Sequence, residues 1–409
     1  MRIAVIGSGI SGLSAAYFLG KNHEVTVFEK SGRLGGHTHT HQLELENLIK
    51  VDSGFIVLND KNYKNLMEFF NEIGIDLFET EMSFSVNSKF LVWNSKEFFN
   101  FSFLTSFKKI KLLIDIVRFN YLAKAVKSKK SIGKWLKTSK FSNLFVQSYL
   151  LPMTSAIWSS TSEEIKNYPA ESMNNFLNNH GLLNLYDRPQ WYSVLGGSST
   201  YIEKLLDLKI FDAKLNSEVK INRSDNKVFI TNRDESYEYD LIIMANHPNQ
   251  IKECIDDLSE KEKNALDSIK YQKNITILHG DESLMPKDKK QWCSWNVYKD
   301  ENYEYVSYWM NNLQKINTSK NIFVTLGNFP KPNLIFKEMQ YEHPVFDFKA
   351  LEGQKIFKEI QSKKNTYYTG AYLGYGFHED GIKSSQAICK LINQSLIHIS
   401  EPTRPLTIS

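Results

Sequence analysis

The chain has 409 residues, of which 42% are hydrophobic and 23% are charged, and its net charge is +4. This length favours two domains, and this composition excludes a disordered or fibrous chain. The three cysteines, Cys254, Cys293 and Cys389, are far apart and form no CxxC pair, which argues against a disulfide framework and fits a reducing cytoplasm. No stretch reaches the roughly 18 uncharged apolar residues of a transmembrane helix, and the N-terminus lacks a signal-peptide pattern. We therefore expect a cytoplasmic protein, either free or peripheral at the inner face of the membrane.

The N-terminal segment has the pattern of a βαβ unit. Arg2 to Gly7 predicts a buried strand, and the glycine-rich sequence Gly7-Ser8-Gly9-Ile10-Ser11-Gly12 follows at once. Leu13–Leu19 predicts a helix, and His23–Glu29 predicts a second strand. Because the unit closes within roughly 30 residues, it gives the GxGxxG pattern the context that a dinucleotide-binding site requires.

Each glycine of this motif has a separate physical role. Gly7 permits the tight turn, Gly9 lets the backbone approach a pyrophosphate, and Gly12 lets the helix pack against the strand. The N-terminus of the helix, which includes Ser11, offers N–H groups and a partial positive charge to the phosphates. Glu29 stands at the end of the second strand, where a carboxylate accepts hydrogen bonds from ribose hydroxyls and disfavours NADP.

The residues that follow resemble a flavin-binding extension. Glu29 to His37, EKSGRLGGH, is similar to the ExxxRxGG sequence of the flavin amine oxidase superfamily, which also includes phytoene desaturases and protoporphyrinogen oxidases. The resemblance implies FAD as the cofactor, with Arg33, Gly35 and Gly36 along its pyrophosphate and ribityl chain. His37 occupies the place where the family often has a second arginine.

Further segments resemble the same family along most of the chain. VDSGF at 51–55 is similar to a segment that enters the flavin cavity, and WYSVLGGSSTY at 191–201 to a glycine-pair turn before a helix. SEVKI at 217–221 and YDLIIMA at 239–245 are similar to two strands beside the adenine and the flavin. These matches imply cofactor contacts at Gly54, Phe55, Val219 and Ala245.

The last match lies between Thr366 and Ser385, where the family has a strand, a glycine and a helix that begins at the pyrimidine edge of the flavin. Ala371 stands here in place of the family's aspartate, and Asp380-Gly381 in place of Glu-Gly. The match implies cofactor contacts at Gly370, Asp380, Gly381 and Ile382. N–H groups at such a helix N-terminus stabilise the negative charge of reduced flavin.

Candidate catalytic side chains are His378 and Glu379, which precede Asp380 at the start of this helix. A base or proton carrier there would suit the chemistry, whereas the simpler role of these residues is to cap the helix through Asp380. His37, His39 and His41 alternate with threonine, but the flavin-like motif just before them favours a cofactor contact for His37, and we predict no metal site.

The motifs together look most like a bacterial subgroup of predicted NAD/FAD-binding proteins that accompany cyclopropane-fatty-acid-synthase-like methyltransferases. This resemblance implies an oxidoreductase that removes a hydride from a C–H bond and desaturates a methylated fatty acyl chain of a lipid. The alternatives are an amine or terpenoid oxidase, a flavin-dependent isomerase or hydratase, and a peripheral membrane protein in which FAD is structural. No second GxGxxG is found in a strand–turn–helix context, so the electron acceptor is open between oxygen, a quinone and a carrier.

Charge is concentrated between Phe107 and Phe141, where eleven Lys or Arg and one acid, Asp115, give +10. Apolar residues recur there at helical spacing, which predicts one or two amphipathic helices. Such helices bind an anionic membrane surface or form a solvated face, and the sequence leaves both interpretations open. No recognition fold accompanies the charge, so nucleic-acid binding is not expected.

These patterns predict an α/β protein with a discontinuous Rossmann-like FAD-binding domain and a mixed α+β substrate domain. The FAD-binding domain is expected over 1–75, 190–270 and 355–396, and the substrate domain over 76–189 and 271–354. Within the latter, 169–183 predicts a short helix and 271–346 a sheet. The last residues, 397–409, predict a disordered or non-native tail.

Overall fold

The computed structural model describes residues 1–97, 106–184, 188–224 and 226–400, the side chains of 396–400 excepted. Over these residues the chain forms twenty strands and fourteen α-helices. The strands are β1 Arg2–Ile6, β2 Glu24–Phe28, β3 Thr40–Glu44, β4 Leu48–Asp52, β5 Leu58–Asn59, β6 Leu77–Thr80, β7 Phe84–Ser88, β8 Val92–Asn94, β9 Trp191–Val194, β10 Asp212–Lys214, β11 Val219–Arg223, β12 Val228–Asn232, β13 Glu235–Tyr239, β14 Leu241–Met244, β15 Lys270–His279, β16 Trp295–Lys299, β17 Glu304–Trp309, β18 Phe323–Asn328, β19 Ile335–Val345 and β20 Thr366–Tyr368. The helices are α1 Ile10–Gly20, α2 Lys64–Glu72, α3 Phe107–Ala123, α4 Ile132–Ser139, α5 Asn143–Phe145, α6 Leu151–Trp158, α7 Ser162–Ile165, α8 Ala170–Asn179, α9 Thr200–Asp207, α10 Pro248–Cys254, α11 Glu260–Ser268, α12 Met310–Gln314, α13 Phe348–Glu359 and α14 His378–Ser400.

Two compact units divide the chain. Unit 1 contains Met1–Gly36, Ile202–Asp267 and the residues from Gly353 on, and unit 2 contains His37–Tyr201 and Ser268–Glu352. Both units are therefore discontinuous in sequence. The segments 37–75 and 190–201 lie in unit 2.

Unit 1 is built on a parallel sheet of five strands in the order β10-β2-β1-β14-β20. Strands β1 and β14 consist almost wholly of buried apolar residues, as is typical of a parallel sheet that is covered on both faces. Phe28 of β2 also packs against Tyr237 and Tyr239 of β13. Helices α1 and α14 pack against this sheet in one apolar cluster. The predicted α/β class with a parallel sheet is confirmed.

Helices α1 and α14 approach each other through small side chains. A Cβ atom on Gly381 would lie 2.7 Å from Cγ2 of Ile10 and 2.9 Å from Oγ of Ser11. One turn further along, the hydroxyls of Ser14 and Ser385 are 2.6 Å apart. The N-terminal ends of both helices are thus held side by side in unit 1.

Unit 1 also contains a three-stranded antiparallel sheet, β11-β12-β13. Buried ion pairs connect this sheet to the rest of the unit. The guanidinium of Arg223, whose side chain is fully buried, donates to Glu262 at 2.6 Å and to Asp257 at 2.9 Å. The hydroxyl of Tyr368 donates to the same Glu262 carboxylate at 2.6 Å. This network joins β11, α11 and β20.

Unit 2 contains a seven-stranded sheet in the order β19-β15-β18-β17-β16-β7-β8. All its neighbours are antiparallel except β16 and β7. Its five strands within 270–345 confirm the sheet predicted there, and α8 confirms the predicted short helix. Small sheets β3-β4 and β5-β9-β6 belong to the same unit.

The basic segment forms α3 and α4, as the sequence predicted. Phe119 of α3 packs against the rings of Trp135, Phe141 and Phe145 at centroid distances of 5.3–6.0 Å, which fixes α3 to unit 2. Nowhere in the described part of the chain is a helix both long and apolar enough to span a membrane. Helix α14 extends four residues into the segment predicted as a tail, and 401–409 lie outside the described residues.

Candidate functional site

A tight glycine turn joins β1 to α1. Gly7 has φ +100°, and a Cβ atom on it would lie 2.9 Å from the backbone nitrogen of Asn246, directly after β14. A Cβ atom on Gly12 would lie 1.9 Å from the carbonyl oxygen of Gly7. Both positions therefore need glycine for close backbone packing, which is the physical reason the sequence suggested for them.

Gly9 differs from its two neighbours because the space beside it is open. No described atom lies within 4 Å of the position where a Cβ atom on Gly9 would stand. Within the described residues, no side chain caps the N-terminus of α1, and the first turn of α1, which contains Ser11, has no acidic residue. The turn thus presents backbone N–H groups and the positive end of a helix to an open space, which suits a pyrophosphate.

The carboxylate of Glu29 lies beside this turn. Its Oε2 accepts hydrogen bonds from the N–H and the hydroxyl of Ser8 at 3.0 and 2.6 Å, and its Oε1 accepts one from the N–H of Ser31 at 2.9 Å. A carboxylate has about four acceptor sites. One remains for a ribose hydroxyl, so the predicted role of Glu29 fits its position.

The loop 33–36 folds back over the glycine turn. The N–H of Gly35 donates to the carbonyl of Ser8 at 3.0 Å, and a Cβ atom on Gly36 would lie 3.2 Å from Cα of Gly9. The guanidinium of Arg33 donates to the carbonyls of Gly36 at 2.6 Å and Leu34 at 3.3 Å. Arg33 therefore stabilises the loop that resembles the flavin-binding extension. These bonds engage two of the roughly five N–H donors of its guanidinium.

The beginning of α14 forms the other edge of this site in unit 1. The carboxylate of Asp380 accepts a hydrogen bond from the N–H of Phe377 at 3.0 Å, and a Cβ atom on Gly374 would lie 2.3 Å from that carboxylate. Burial raises the pKa of Asp380 to about 6. Asp380 thus caps the N-terminus of α14. Gly370 has no room for a Cβ atom beside the ring of Tyr372.

His378 and Glu379 occupy the first turn of α14. Burial lowers the pKa of His378 to about 3, so its imidazole is neutral near pH 7. Glu379 is 5% exposed, and its carboxylate lies 3.2 Å from Nζ of Lys383. Both side chains are therefore held in unit 1 beside the end of α1 that carries the glycine turn.

The remaining predicted contacts of unit 1 lie on its sheets and on α14. Val219 is buried at the start of β11, and Ile382 is fully buried in α14. Ala245 follows β14, and its N–H donates to the carbonyl of Ile6 at 2.8 Å. These positions surround the carboxyl ends of the parallel strands, where α/β sheets bind ligands.

Three predicted contacts, His37, Gly54 and Phe55, lie in unit 2. The N–H of Phe55 donates to the carbonyl of His37 at 2.9 Å, and a Cβ atom on Gly54 would lie 2.0 Å from the same oxygen. Gly54 is therefore required by backbone pairing with the residue that follows Gly36.

Sequence reasoning missed a cluster of titratable side chains around β19. The ring of His37 lies 5.1 Å from that of Tyr341 and 5.2 Å from that of His343. The hydroxyl of Tyr341 lies 3.1 Å from Nδ1 of His39 and 2.6 Å from the hydroxyl of Ser53. Two local signals were present, the alternation of His37, His39 and His41 and that of Tyr341 and His343. Their pairing was not predictable, because His39 and Tyr341 are 302 residues apart in sequence.

The same cluster extends to His41, whose Nε2 lies 2.8 Å from the hydroxyl of Ser53. His41, Ser53 and Tyr341 are each less than a tenth exposed. The contacts form a chain from His41 through Ser53 and Tyr341 to His39, in which every link is a group that can both accept and donate a proton. We call His37, His39, His41, Ser53, Tyr341 and His343 the histidine cluster.

Asp52 is the buried carboxylate of the VDSGF segment. It accepts hydrogen bonds from the N–H and hydroxyl of Ser198, from the amide of Gln314 at 2.7 Å, and from the hydroxyl of Thr40. Burial raises its pKa to about 6 although these bonds oppose the shift. Asp52 thus fixes the glycine-pair turn before α9, a structural role within unit 2.

The fold and this donor set define a flavoprotein of the oxidoreductase class, and the comparison with known sequences gives the family. A profile of the flavin containing amine oxidoreductases matches residues 10–291, and the chain belongs to this family. Its cofactor is FAD. The open space at Gly9, the uncapped N-terminus of α1 and the spare acceptor on Glu29 fit the pyrophosphate and a ribose of that cofactor.

Curated relatives match short stretches of the chain. An L-amino-acid oxidase of Pseudechis australis is 37% identical over 79 residues, 19% of this chain and 15% of that enzyme. One of Sistrurus catenatus edwardsii is 52% identical over 44 residues, 10% of this chain and 8% of that enzyme. The chain therefore covers less than a sixth of either relative.

Solved structures match nearly the whole chain in fold. A putrescine oxidase variant superposes with a TM-score of 0.71 at 15% identity, over 96% of this chain and 99% of that one. A CLA-producing fatty acid isomerase from P. acnes gives 0.70 at 16% identity, over 96% and 98%. At such identities the likeness establishes the fold.

Proposed function

We propose that this protein is an FAD-dependent oxidoreductase that desaturates an acyl chain of a lipid, with a methylated chain as the preferred substrate. The observation that carries the proposal is the histidine cluster, which begins at the residue bonded to Gly36. FAD, when bound, supplies the acceptor for a hydride. The chain itself must then position the acyl chain, exclude water and take up a proton.

The need for a base separates this reaction from the oxidation of an amine. Removing two hydrogens from adjacent carbons releases one as a hydride and one as a proton, and the carbon skeleton has no lone pair to stabilise the intermediate charge. A positioned base near neutral pKa contributes typically 10²–10⁴-fold to such a step. Oxidation of an amine depends less on a base, since the nitrogen lone pair stabilises the cation that remains.

The histidine cluster supplies a base with an onward path for the proton. His37 follows Gly36 in the chain, so of the histidines in the cluster it is the nearest in sequence to the loop 33–36. The ring of Tyr341 lies 5.1 Å from that of His37, and its hydroxyl is hydrogen-bonded to His39 and Ser53. His378 and Glu379 are the alternative acceptors. The pKa of about 3 makes His378 the weaker base at neutral pH, and Glu379 is paired with Lys383.

Two considerations support a lipid as the substrate class. The motifs resemble those of a subgroup associated with fatty acyl modification, and the fatty acid isomerase has the same fold over 98% of its chain. A lipid substrate also implies work at a membrane surface on the cytoplasmic side. The second candidate function is isomerisation, in which the hydride returns to the acyl chain and the lipid keeps its oxidation level.

An anaerobic titration of the purified flavoprotein tests the proposal. Phospholipids with methylated or unsaturated acyl chains are added in detergent, and the flavin band near 450 nm, about the usual position, is followed. We expect bleaching by the methylated lipid and none by diamines. Bleaching by a diamine alone would establish the amine oxidase alternative, and conversion of the lipid without net bleaching would establish the isomerase.

A further inference from the structure

Helix α3 exposes large apolar side chains to solvent. Phe107 is 81% exposed, Ile114 62%, Val117 46% and Tyr121 80%. Folded proteins rarely leave a contiguous group of this kind uncovered, and an exposed apolar patch marks an interaction surface. The patch therefore requires a partner of defined chemistry.

These side chains form one stripe along the helix. Their spacings of seven, three and four residues place them within about 80° of each other at 100° per residue. Leu112, Ile116, Phe119 and Ala123 lie on the opposite side and are buried. The inner stripe anchors α3 to unit 2, so the outer stripe is presented by a fixed element.

The outer face of α3 carries only positive charge. Lys108, Lys111 and Arg118 are exposed on α3, and Lys124 is exposed directly after it. The guanidinium of Arg118 also donates to the carbonyls of Ser139 at 2.7 Å and Lys140 at 3.0 Å. The one acid of the helix, Asp115, is turned inward, is 7% exposed, and accepts a hydrogen bond from the N–H of Ser142 at 3.2 Å. The face thus combines exposed apolar side chains with cations and displays no carboxylate.

Helix α4 differs from α3 in this respect. Ile132 and Trp135 are 0% and 8% exposed and Leu136 is half-buried, so α4 presents lysines without an exposed apolar stripe. The predicted basic segment therefore divides into an amphipathic outer face on α3 and a solvated basic face on α4.

We propose that the outer face of α3, defined by Phe107, Lys108, Lys111, Ile114, Val117, Arg118, Tyr121 and Lys124, docks the protein on an anionic lipid bilayer. The apolar stripe lies at the boundary between headgroups and acyl chains, and the cations contact anionic headgroups. An acidic protein partner would form ion pairs with the cations of this face, but it would leave the aromatic and aliphatic side chains of the stripe exposed to water. This inference goes beyond the proposed function, because it concerns attachment to the bilayer and not turnover of an acyl chain.

Vesicle flotation of the full-length flavoprotein tests the inference. Vesicles of phosphatidylcholine with phosphatidylglycerol are compared with phosphatidylcholine alone, at low and high salt. We expect binding to the anionic vesicles, weakened at least about tenfold on neutral vesicles and by salt. Absence of binding, or equal binding to both vesicle types, would overturn the inference.

Two variants separate the contributions of the face. The triple change Ile114→Ser, Val117→Ser and Tyr121→Ser should weaken binding to anionic vesicles about tenfold or more. The change Lys108→Glu with Lys111→Glu should do the same through charge. Matched controls are Leu48→Ser, Leu208→Ser and Phe229→Ser, which are also exposed, and Lys287→Glu with Lys331→Glu. Controls that weaken binding as much as the α3 variants would contradict the assignment.

Flavin content and thermal unfolding verify that each variant is folded. If the triple variant does not fold, the charge variant provides the test. Bleaching of the flavin by detergent-solubilised lipid should be unchanged in both α3 variants. Loss of vesicle binding with intact bleaching is the expected result. Normal vesicle binding by a protein that no lipid bleaches would refute the proposed function and leave the docking face in place.

Discussion

Gly36 approaches Gly9 so closely that a Cβ atom on Gly36 would lie 3.2 Å from Cα of Gly9. The loop that resembles a flavin-binding extension thus rests on the glycine turn, while the other side of Gly9 stays open. The two glycines define a cradle in unit 1, and we propose that the pyrophosphate of FAD binds there. Gly36 is then required by the fold and Gly9 by cofactor binding.

The change Gly9→Ala should impair FAD binding without unfolding the protein. A Cβ atom on Gly9 meets no described atom, so the apoprotein should keep its unfolding free energy within about 1 kcal/mol. The affinity for FAD should fall at least about tenfold, or ~1.4 kcal/mol. Denaturant unfolding of the apoprotein and fluorescence titration with FAD measure the two quantities.

Gly12→Ala is the matched comparison for that change. Its Cβ atom would collide with the carbonyl of Gly7, so the apoprotein should lose about 2–3 kcal/mol of stability. Equal losses of apoprotein stability in Gly9→Ala and Gly12→Ala would contradict the assignment of Gly9 to cofactor binding.

Arg223→Met should destabilise unit 1 by about 3–5 kcal/mol, because it leaves the buried carboxylate of Glu262 without its partner. Adding Glu262→Leu should restore part of that loss. Lys252→Met removes an exposed ion pair and should cost no more than about 1 kcal/mol. Urea unfolding of wild type, Arg223→Met, Glu262→Leu, the double variant and Lys252→Met gives the free energies. A double variant as unstable as the sum of its two single changes would argue against the pairing.

Acid should weaken the same network. Burial alone would raise the pKa of Glu262, but hydrogen bonds from Arg223 and Tyr368 lower it to about 2 from an ordinary 4.5. A depressed pKa in the folded state stabilises it above the ordinary pKa, and the stabilisation is lost as the pH falls from about 4.5 to about 2. Wild type should lose stability in this window relative to Glu262→Gln, and parallel pH profiles would rule the coupling out.

Asp52 should have the opposite pH dependence. Burial raises its pKa from 3.8 to about 6, so the folded state binds its proton more tightly than the unfolded state does. Stability contributed by this group therefore falls as the pH rises from about 4 to about 6. Relative to Asp52→Asn, wild type should weaken across this range in urea unfolding, whereas Asp234→Asn on an exposed turn should change nothing.

Tyr341→Phe should slow flavin reduction by lipid, because it removes the hydroxyl that joins His39 to Ser53. We expect a decrease of about 10²-fold and a changed pH profile, with normal flavin content. His378→Gln should have a small effect, and Tyr298→Phe, outside the histidine cluster, none. Rapid-mixing absorbance measures the rates. A large decrease in the rate of flavin reduction in His378→Gln, with a normal rate in Tyr341→Phe, would indicate that the base lies on α14.

The N-terminal unit was predictable because its signals are local. The strand, the glycine motif and the acid fall within one βαβ unit, and α1 begins at Ile10, three residues before the predicted start at Leu13. Asp380, predicted as a cap, accepts its hydrogen bond from a residue three positions away. Such features depend on neighbours in sequence and follow from the pattern alone.

The features that sequence reasoning missed depend on distant pairing. The carboxylate of Asp52 is held by Ser198 and Gln314, and the histidine cluster joins residues 37–53 to β19. These contacts connect the segment 37–75 to other parts of unit 2. On α3, the helical period predicted an amphipathic helix, but only the packing of Phe119 shows which stripe faces inward.

A single-turnover experiment tests the central claim most directly. The oxidised flavoprotein is mixed anaerobically with a methylated phospholipid, and the flavin spectrum and the mass of the recovered lipid are recorded together. We expect one lipid molecule, lighter by two hydrogens, for each flavin that bleaches. A recovered lipid of unchanged mass, with the double bond moved or the chain intact, would contradict it.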